Sequence, residues 1–81
     1  MMIAREQKIK EANRILENLK TQMMEILWEI RQNHYNNSRM MIPWIQEEAE
    51  YAIKKLKIPG EDENYYLIMI ERIVGEYTEN L

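Results

Sequence analysis

The sequence predicts an all-α fold, a three-helix bundle in a single domain spanning residues 1–81, with one long N-terminal helix and two shorter helices. Apolar residues recur at alternating spacings of three and four, which is the repeat of an amphipathic helix. Two segments break this repeat: residues 32–38, which contain three asparagines, and residues 58–60, which read Ile-Pro-Gly. The composition, 46% hydrophobic and 31% charged residues, is typical of a folded chain of amphipathic helices and excludes intrinsic disorder.

The first predicted helix covers about residues 3–32. Its apolar stripe has the heptad spacing of helices that pack along their whole length. The stripe consists of Ile9, Ala12, Leu16, Leu19, Met23, Ile26 and Ile30. In the second half of this helix, Met24, Leu27 and Trp28 widen the stripe to more than half of the circumference, which predicts burial against two neighbours at once.

The second predicted helix covers about residues 42–57 and follows a predicted loop at 32–38. Pro43 is expected in its first turn, where backbone N–H groups have no helical partner in any case. The expected core face is Ile45, Ala49, Ala52, Ile53 and Leu56. The two alanines in this face suggest close approach by a bulky neighbour, either Trp28 or Met24.

The third predicted helix covers about residues 63–80, and Asp62 is its expected N-cap, because a carboxylate accepts hydrogen bonds from the first turn. Two adjacent apolar stripes predict that it is covered on two sides. They are Tyr66, Met69, Ile70, Ile73 and Tyr77, and beside them Leu67, Val74 and Leu81. Gly75 costs about 1 kcal/mol relative to alanine inside a helix, so its presence suggests close packing of a neighbouring backbone.

The predicted assembly is a homodimer of up-down-up bundles. Short connections favour this helix order. Helices of such unequal length leave apolar surface that one small chain does not cover, and a second copy packing on the first helix is the simplest cover. The sequence has no cysteine, no apolar run near the roughly 20 residues that span a bilayer and no secretory signal. We therefore expect a cytoplasmic protein without membrane contact.

No catalytic residue, cofactor or metal site is expected. His34 is the sole histidine, no Glu-x-x-His motif is present for a di-metal site, and two glycines cannot build a phosphate-binding loop. The net charge is −3, and the C-terminal helix is the acidic element of the chain. This balance disfavours nucleic acid as a partner, because displacing phosphate counterions needs clustered Lys and Arg.

The apolar residues are unusual in kind, with seven Met, two Trp, five Tyr and no Phe. Methionine is frequent on surfaces that adapt to a partner. The predicted partner-binding residues are Met24, Trp28, Met40, Met41 and Trp44 as apolar anchors, with Glu71, Glu76 and Glu79 for charge complementarity. Adjacent helical residues such as Met40 and Met41 point about 100° apart, so both cannot face one seam. The commoner alternative, that these Met and Trp side chains belong to the core, stays open.

Residues 21–25 read Thr-Gln-Met-Met-Glu, and residues 42–46 read Ile-Pro-Trp-Ile-Gln. In outline, one long helix followed by two shorter ones resembles the all-helical chorismate mutases, which intertwine as dimers. That resemblance would imply arginines and a lysine around a dianionic substrate, and an Asp-x-x-Arg-Glu-like start of the second helix. Neither stretch carries these residues, so the sequence is not identified as a member of that family.

The sequence therefore predicts a non-enzymatic protein-protein interaction module, an adaptor, regulator or inhibitor of a larger protein machine, whose partner is another protein chain. Two alternatives stay open. A small helical-bundle enzyme with a site at a dimer interface would need converging Arg or Lys and a carboxylate of perturbed pKa. A nucleic-acid-binding regulator would need cations to converge across the dimer, namely Lys8, Lys10, Arg14, Lys20 and the lysines of the second helix.

Overall fold

Three α-helices form the computed structural model of this chain, which describes residues 3–32 and 38–79. They are α1 (Ile3–Gln32), α2 (Ser38–Lys55) and α3 (Gly60–Thr78). Within the described residues there is no strand, and each helix packs against both of the others. The all-α fold of one long helix and two shorter helices is therefore confirmed. Most of the predicted loop, with His34, and the predicted stripe residue Leu81 lie outside the described residues.

Two polar contacts show that α1 and α3 run in the same direction. Near the start of both helices, Arg5 Nη2 bonds Asp62 Oδ2 over 2.9 Å. Further along, by two turns of α1 and one turn of α3, the Tyr66 hydroxyl donates to Asn13 Oδ1 over 3.0 Å. Residue numbers thus increase together along the two helices.

The α2 helix runs in the opposite direction. Met41, near its start, and Glu29, near the end of α1, line the same surface hollow. Ala52, near the end of α2, lines a second hollow with Ile15 of α1. Together with the parallel α1 and α3, this order gives the predicted up-down-up bundle.

The long axis of the bundle is set by α1. The molecule measures 51 × 17 × 16 Å, and a helix of 30 residues is itself about 45 Å long. The other two helices, with 18 and 19 residues, reach little more than half of that length. None of the helices described is long and apolar enough to cross a membrane.

The core lies along the line where the three helices meet. Leu19 and Met23 of α1, Ile53 of α2 and Ile70 of α3 are its fully buried large side chains. Full burial of an aliphatic side chain contributes about 1.5–3 kcal/mol to folding. The predicted stripes are confirmed over the described residues. Buried members are Ala12, Leu16, Ile26, Ile45, Ala49, Tyr66, Ile73 and Val74, and partly buried members are Ile9, Ile30, Leu56, Leu67, Met69 and Tyr77.

The start of α2 corrects the predicted boundary at residue 42. The helix begins at Ser38, so Pro43 lies inside it and not in its first turn. A proline at this point removes one backbone hydrogen bond, to the carbonyl four residues earlier. Ile42, the residue before this proline, is only 7% exposed, and burial of such a side chain offsets the lost bond.

The end of α2 also differs from the prediction of residue 57. The helix ends at Lys55, because Lys57 has a φ of 58° and lies in the left-handed region of backbone space. Ile58 follows in a buried position, and Pro59 restricts it to an extended backbone. The chain therefore leaves the helix early enough to bury Ile58 before α3 begins.

The start of α3 corrects the predicted role of Asp62. The helix begins at Gly60 after Pro59, and no side chain caps it. Its first backbone bond runs from the Glu63 N–H to the Pro59 carbonyl over 2.9 Å. Because Asp62 lies inside the first turn, its carboxylate still complements the helix dipole, while its oxygen bonds Arg5.

Three packing predictions fail in whole or in part. Leu27 is buried at 8% exposure, but Met24 and Trp28 are 58% and 63% exposed, so the widened stripe of α1 is covered only in part. Neither Met24 nor Trp28 lines the hollow above Ala49 and Ala52. The alanines instead floor an open groove. A Cβ built at Gly75 would have no other atom within 4 Å, so no backbone packs against this glycine.

Gly75→Ala is expected to stabilise the protein, because the site is open and the glycine lies inside a helix. The free energy of unfolding should rise by about 0.5–1 kcal/mol. Urea denaturation would show a higher midpoint with an unchanged slope. A lower midpoint would mean that a neighbour approaches Gly75 more closely than the structure shows.

Tyr66 is expected to make stability depend on pH in the alkaline range. Burial, followed by the nearby Tyr65 and Asp62, raises the pKa of the Tyr66 phenol above 10.0, and the bond to Asn13 opposes this. The unfolded chain therefore loses this proton at lower pH than the folded chain, so the stability it confers is complete below about pH 10 and is lost as pH rises through the folded pKa.

The measurement compares the parent protein with Tyr66→Phe, which cannot ionise, by urea denaturation at a series of pH values. The stability of the parent relative to Tyr66→Phe should fall once the pH exceeds about 10. Parallel pH dependence of the two proteins would contradict this assignment.

Candidate functional site

Five large apolar side chains are exposed at one end of the bundle, and we call this set the end patch. It consists of Met24, Trp28, Met40, Met41 and Trp44, with exposed fractions of 58%, 63%, 68%, 46% and 68%. All five were predicted from the sequence as apolar anchors. The alternative that they belong to the core is wrong.

Helical spacing places these residues in pairs. Met24 and Trp28 are four residues apart and share one face of α1, and Met40 and Trp44 share one face of α2 in the same way. The end of α1 and the start of α2 lie at the same end of the bundle, since Met41 lines a hollow with residues of the last turns of α1. The fold thus brings both pairs to that end.

The third helix does not reach the end of α1. Lys20 of α1 lines a hollow with Ile73, Glu76 and Tyr77 of α3, and α3 ends at Thr78. About two turns of α1 therefore extend past α3. In this part of the described structure, Met24 and Trp28 of α1 and Met40 and Trp44 of α2 stay in water.

The five residues of the end patch expose a large apolar area, which is divided between the outer faces of α1 and α2. From the exposed fractions and the area of such side chains, its accessible area is roughly 600 Å². The largest apolar patch of a typical monomer is about 300–600 Å² and is often functional. One side of a standard interface covers about 800 Å². Because the area of the end patch is divided between two helix faces, neither face alone reaches that size.

Among the described residues, three further large apolar side chains are exposed, and the sequence prediction missed them. Tyr51 is 64% exposed and lies seven residues after Trp44, on the same face of α2, with Lys55 Nζ 5.3 Å from its ring centre. Tyr65 and Ile68 lie three residues apart on α3, at 57% and 55%. Tyr51 could have been predicted, because its spacing of seven residues from Trp44 places both side chains on one face of α2.

The predicted acidic residues Glu71, Glu76 and Glu79 are all exposed on α3. Glu76 and Glu79 are three residues apart and share one side of the helix, whereas Glu71 lies on another side. Glu76 lines the hollow that contains Lys20. The fold therefore leaves these carboxylates in water on a helix other than the two that form the end patch.

Two cations that the nucleic-acid alternative requires face carboxylates on their own helix. Arg14 Nη1 bonds Glu11 Oε1 over 3.3 Å, and Lys20 Nζ bonds Glu17 Oε2 over 3.2 Å. In residues 3–32 and 38–79, no three His, Cys, Asp or Glu side chains are arranged to hold a metal ion.

A groove follows the seam between α1 and α2, on a side that no α3 residue lines. It consists of two adjoining hollows of about 320 Å³ and 210 Å³ that share Gln22, and we call it the α1–α2 groove. Its apolar lining is Ile15, Ile26, Met41, Ile45, Ala49 and Ala52, and its polar lining is Asn18, Thr21, Gln22, Glu25, Glu29 and Glu48. The charged residues of the lining are thus carboxylates only.

Comparison with known proteins gave no match. No protein-family model, no curated protein and no solved structure matches this chain.

Proposed function

We propose that this protein is a non-enzymatic protein-protein interaction module, an adaptor, regulator or inhibitor of a larger protein machine, that binds another chain through the end patch. The observation that carries the proposal is the exposure of all five end-patch residues, between 46% and 68%, beside a complete core. In the proposal, Glu71, Glu76 and Glu79 add charge complementarity to the contact.

Energetics support this use of the end patch. Burying a side chain of the size of Met or Leu contributes about 1.5–3 kcal/mol, and fold stability does not use that energy for Met24, Trp28, Met40 and Trp44, which stay in water. Tryptophan is enriched among the residues that dominate binding energy. Methionine adapts its shape to different partners. A partner surface would recover the energy that the fold leaves unused.

A second copy of the chain is the simplest occupant of the end patch. A two-fold axis at this end would place the patch against itself, as in other isologous interfaces. It would also set the last turns of α1 and the first turns of α2 against their counterparts, giving a local four-helix arrangement. The proposal keeps the cytoplasm as the compartment, because a chain without cysteine needs no oxidising environment.

The two alternative functions have less support. The enzyme alternative requires Arg or Lys side chains that converge in a pocket, and the α1–α2 groove is lined by none. The nucleic-acid alternative requires cations that can contact phosphates, and two of the predicted cations, Arg14 and Lys20, already pair with carboxylates of α1.

Self-association is expected at micromolar concentration. Light scattering coupled to size exclusion should give a mass of about twice the 9.9 kDa of one chain, and Trp28→Ala with Trp44→Ala should return the protein to the mass of one chain. A single-chain mass at every concentration would remove the homodimer and leave a different protein as the occupant.

Partner capture is expected to depend on the two tryptophans. Trp28→Ala and Trp44→Ala should abolish recovery of a stoichiometric partner from the native host, while helical content stays within about a tenth of the parent value, because exposed residues contribute little to stability. Capture is followed by mass spectrometry, and helicity by circular dichroism.

Tyr65→Ala is the matched control, since it removes an aromatic side chain of similar exposure from α3. It should leave capture unchanged. The proposal is wrong if the two Trp variants unfold the domain, or if they capture the same proteins as the parent chain.

A further inference from the structure

We infer that the α1–α2 groove binds an amphipathic helix of a partner protein, one whose apolar stripe is flanked by lysine or arginine side chains. The inference rests on the proposed function, because it names the class of partner that the module takes. The observation behind it is an apolar floor between two helices whose charged rim consists of carboxylates only.

The length and floor of the groove suit a helix. Its lining runs along α1 from Ile15 to Glu29, about 21 Å, which is the length of about four helical turns. Ala49 and Ala52 make the floor low, so larger apolar side chains of a partner have room above them. Both walls are helices whose interior N–H and C=O groups bond within the helix, so an added strand would find few backbone partners.

Docking a helix there would complete a fourth position of the bundle. The α3 helix already packs against both α1 and α2, and no α3 residue lines the groove. A helix laid on the other side would complete the arrangement of a four-helix bundle. The groove could therefore accommodate the apolar stripe of one more helix.

The charges of the rim select the flanks of that helix. Glu25 and Glu48 stand on opposite walls, one on α1 and one on α2, and both are exposed. No Lys or Arg lines either hollow. Lysines or arginines on both sides of the partner's stripe would meet these carboxylates, which favours such a partner by charge complementarity and speeds its association.

The outer faces of a second copy carry charges of both signs. On α2, the exposed residues Glu48 and Lys55 are seven residues apart and share one face. On α3, Glu71 and Arg72 both follow the exposed Ile68 by one turn. Either face would bring carboxylates as well as cations to the acidic rim, which favours the pairing less than flanks that are basic throughout.

The probe is a pair of synthetic helical peptides of about 18 residues that share one leucine and alanine stripe. Lysines flank the stripe in the first peptide, and glutamates flank it in the second. Labelled peptide is titrated with the full chain, and fluorescence anisotropy reports binding at low and at moderate salt. The lysine peptide should bind with a Kd that rises with salt, and the glutamate peptide should not bind.

Two charge variants locate the binding site. Glu25→Gln with Glu48→Gln should raise the Kd of the lysine peptide about fivefold, since two exposed ion pairs are lost. Glu6→Gln with Glu47→Gln makes the same change in net charge on the same two helices, at exposed positions outside the groove. This control should leave the Kd unchanged, and circular dichroism should show that both variants fold.

Several outcomes would overturn the inference. If both double variants weaken binding of the lysine peptide equally, the peptide is attracted by net charge alone. If the two peptides bind equally, the carboxylates of the rim do not select basic flanks. If neither peptide binds, no helix docks in the groove. If neither peptide binds but Trp28→Ala with Trp44→Ala abolishes partner capture, the proposed function stands without the groove. If the lysine peptide binds as expected but the Trp28→Ala and Trp44→Ala variants capture the same partner as the parent chain, the inference about the groove stands and the proposed role of the end patch is wrong.

Discussion

The apolar stripe of α1 is longer than either helix that covers it, and the rest of the structure depends on this mismatch. The three helices have 30, 18 and 19 residues. Because α3 runs parallel to α1 from the same end, it covers the first part of the stripe, whereas α2 returns from the far end and covers the last part. Leu19 and Met23, near the middle of α1, are buried to within 1%. Burial by both covering helices is what makes that stretch the centre of the core.

The same mismatch creates the end patch. Beyond the end of α3, two helices share one seam, and a side chain that does not face the seam stays in water. Met24 and Trp28 lie on the outer face of α1, away from the side that packs against α2. Met40 and Trp44 likewise lie on the outer face of α2. Exposed residues of ordinary surface helices are polar. The packing of the three helices therefore does not explain methionine and tryptophan at these positions.

Local rules predicted what depends on local sequence. Both ends of α1 were predicted because a heptad stripe continues as long as the helix does. The start of α2 was missed because the local rule places proline in the first turn of a helix, whereas Pro43 lies inside α2. The capping rule for Asp62 failed in the same way, since its partner Arg5 lies 57 residues away. The anchors of the end patch were identified by residue type, but exposure of Trp28 depends on where α3 ends, which no local pattern states.

Met41 belongs to both the groove and the end patch. The cost of removing water from the carboxylates of the groove nevertheless distinguishes the ligands that the two surfaces would favour. An apolar surface laid over the groove would take water from Glu25 and Glu48 without giving them a cation, and buried unpaired carboxylates are costly. In the inferred complex, a helix with basic flanks would replace that water with charged hydrogen bonds, which a second end patch would not supply to the same extent. The two alanines of α2 are consistent with this division. Ala52 is only half-buried and lines the open hollow, so a small residue at this position leaves room for side chains from outside the chain.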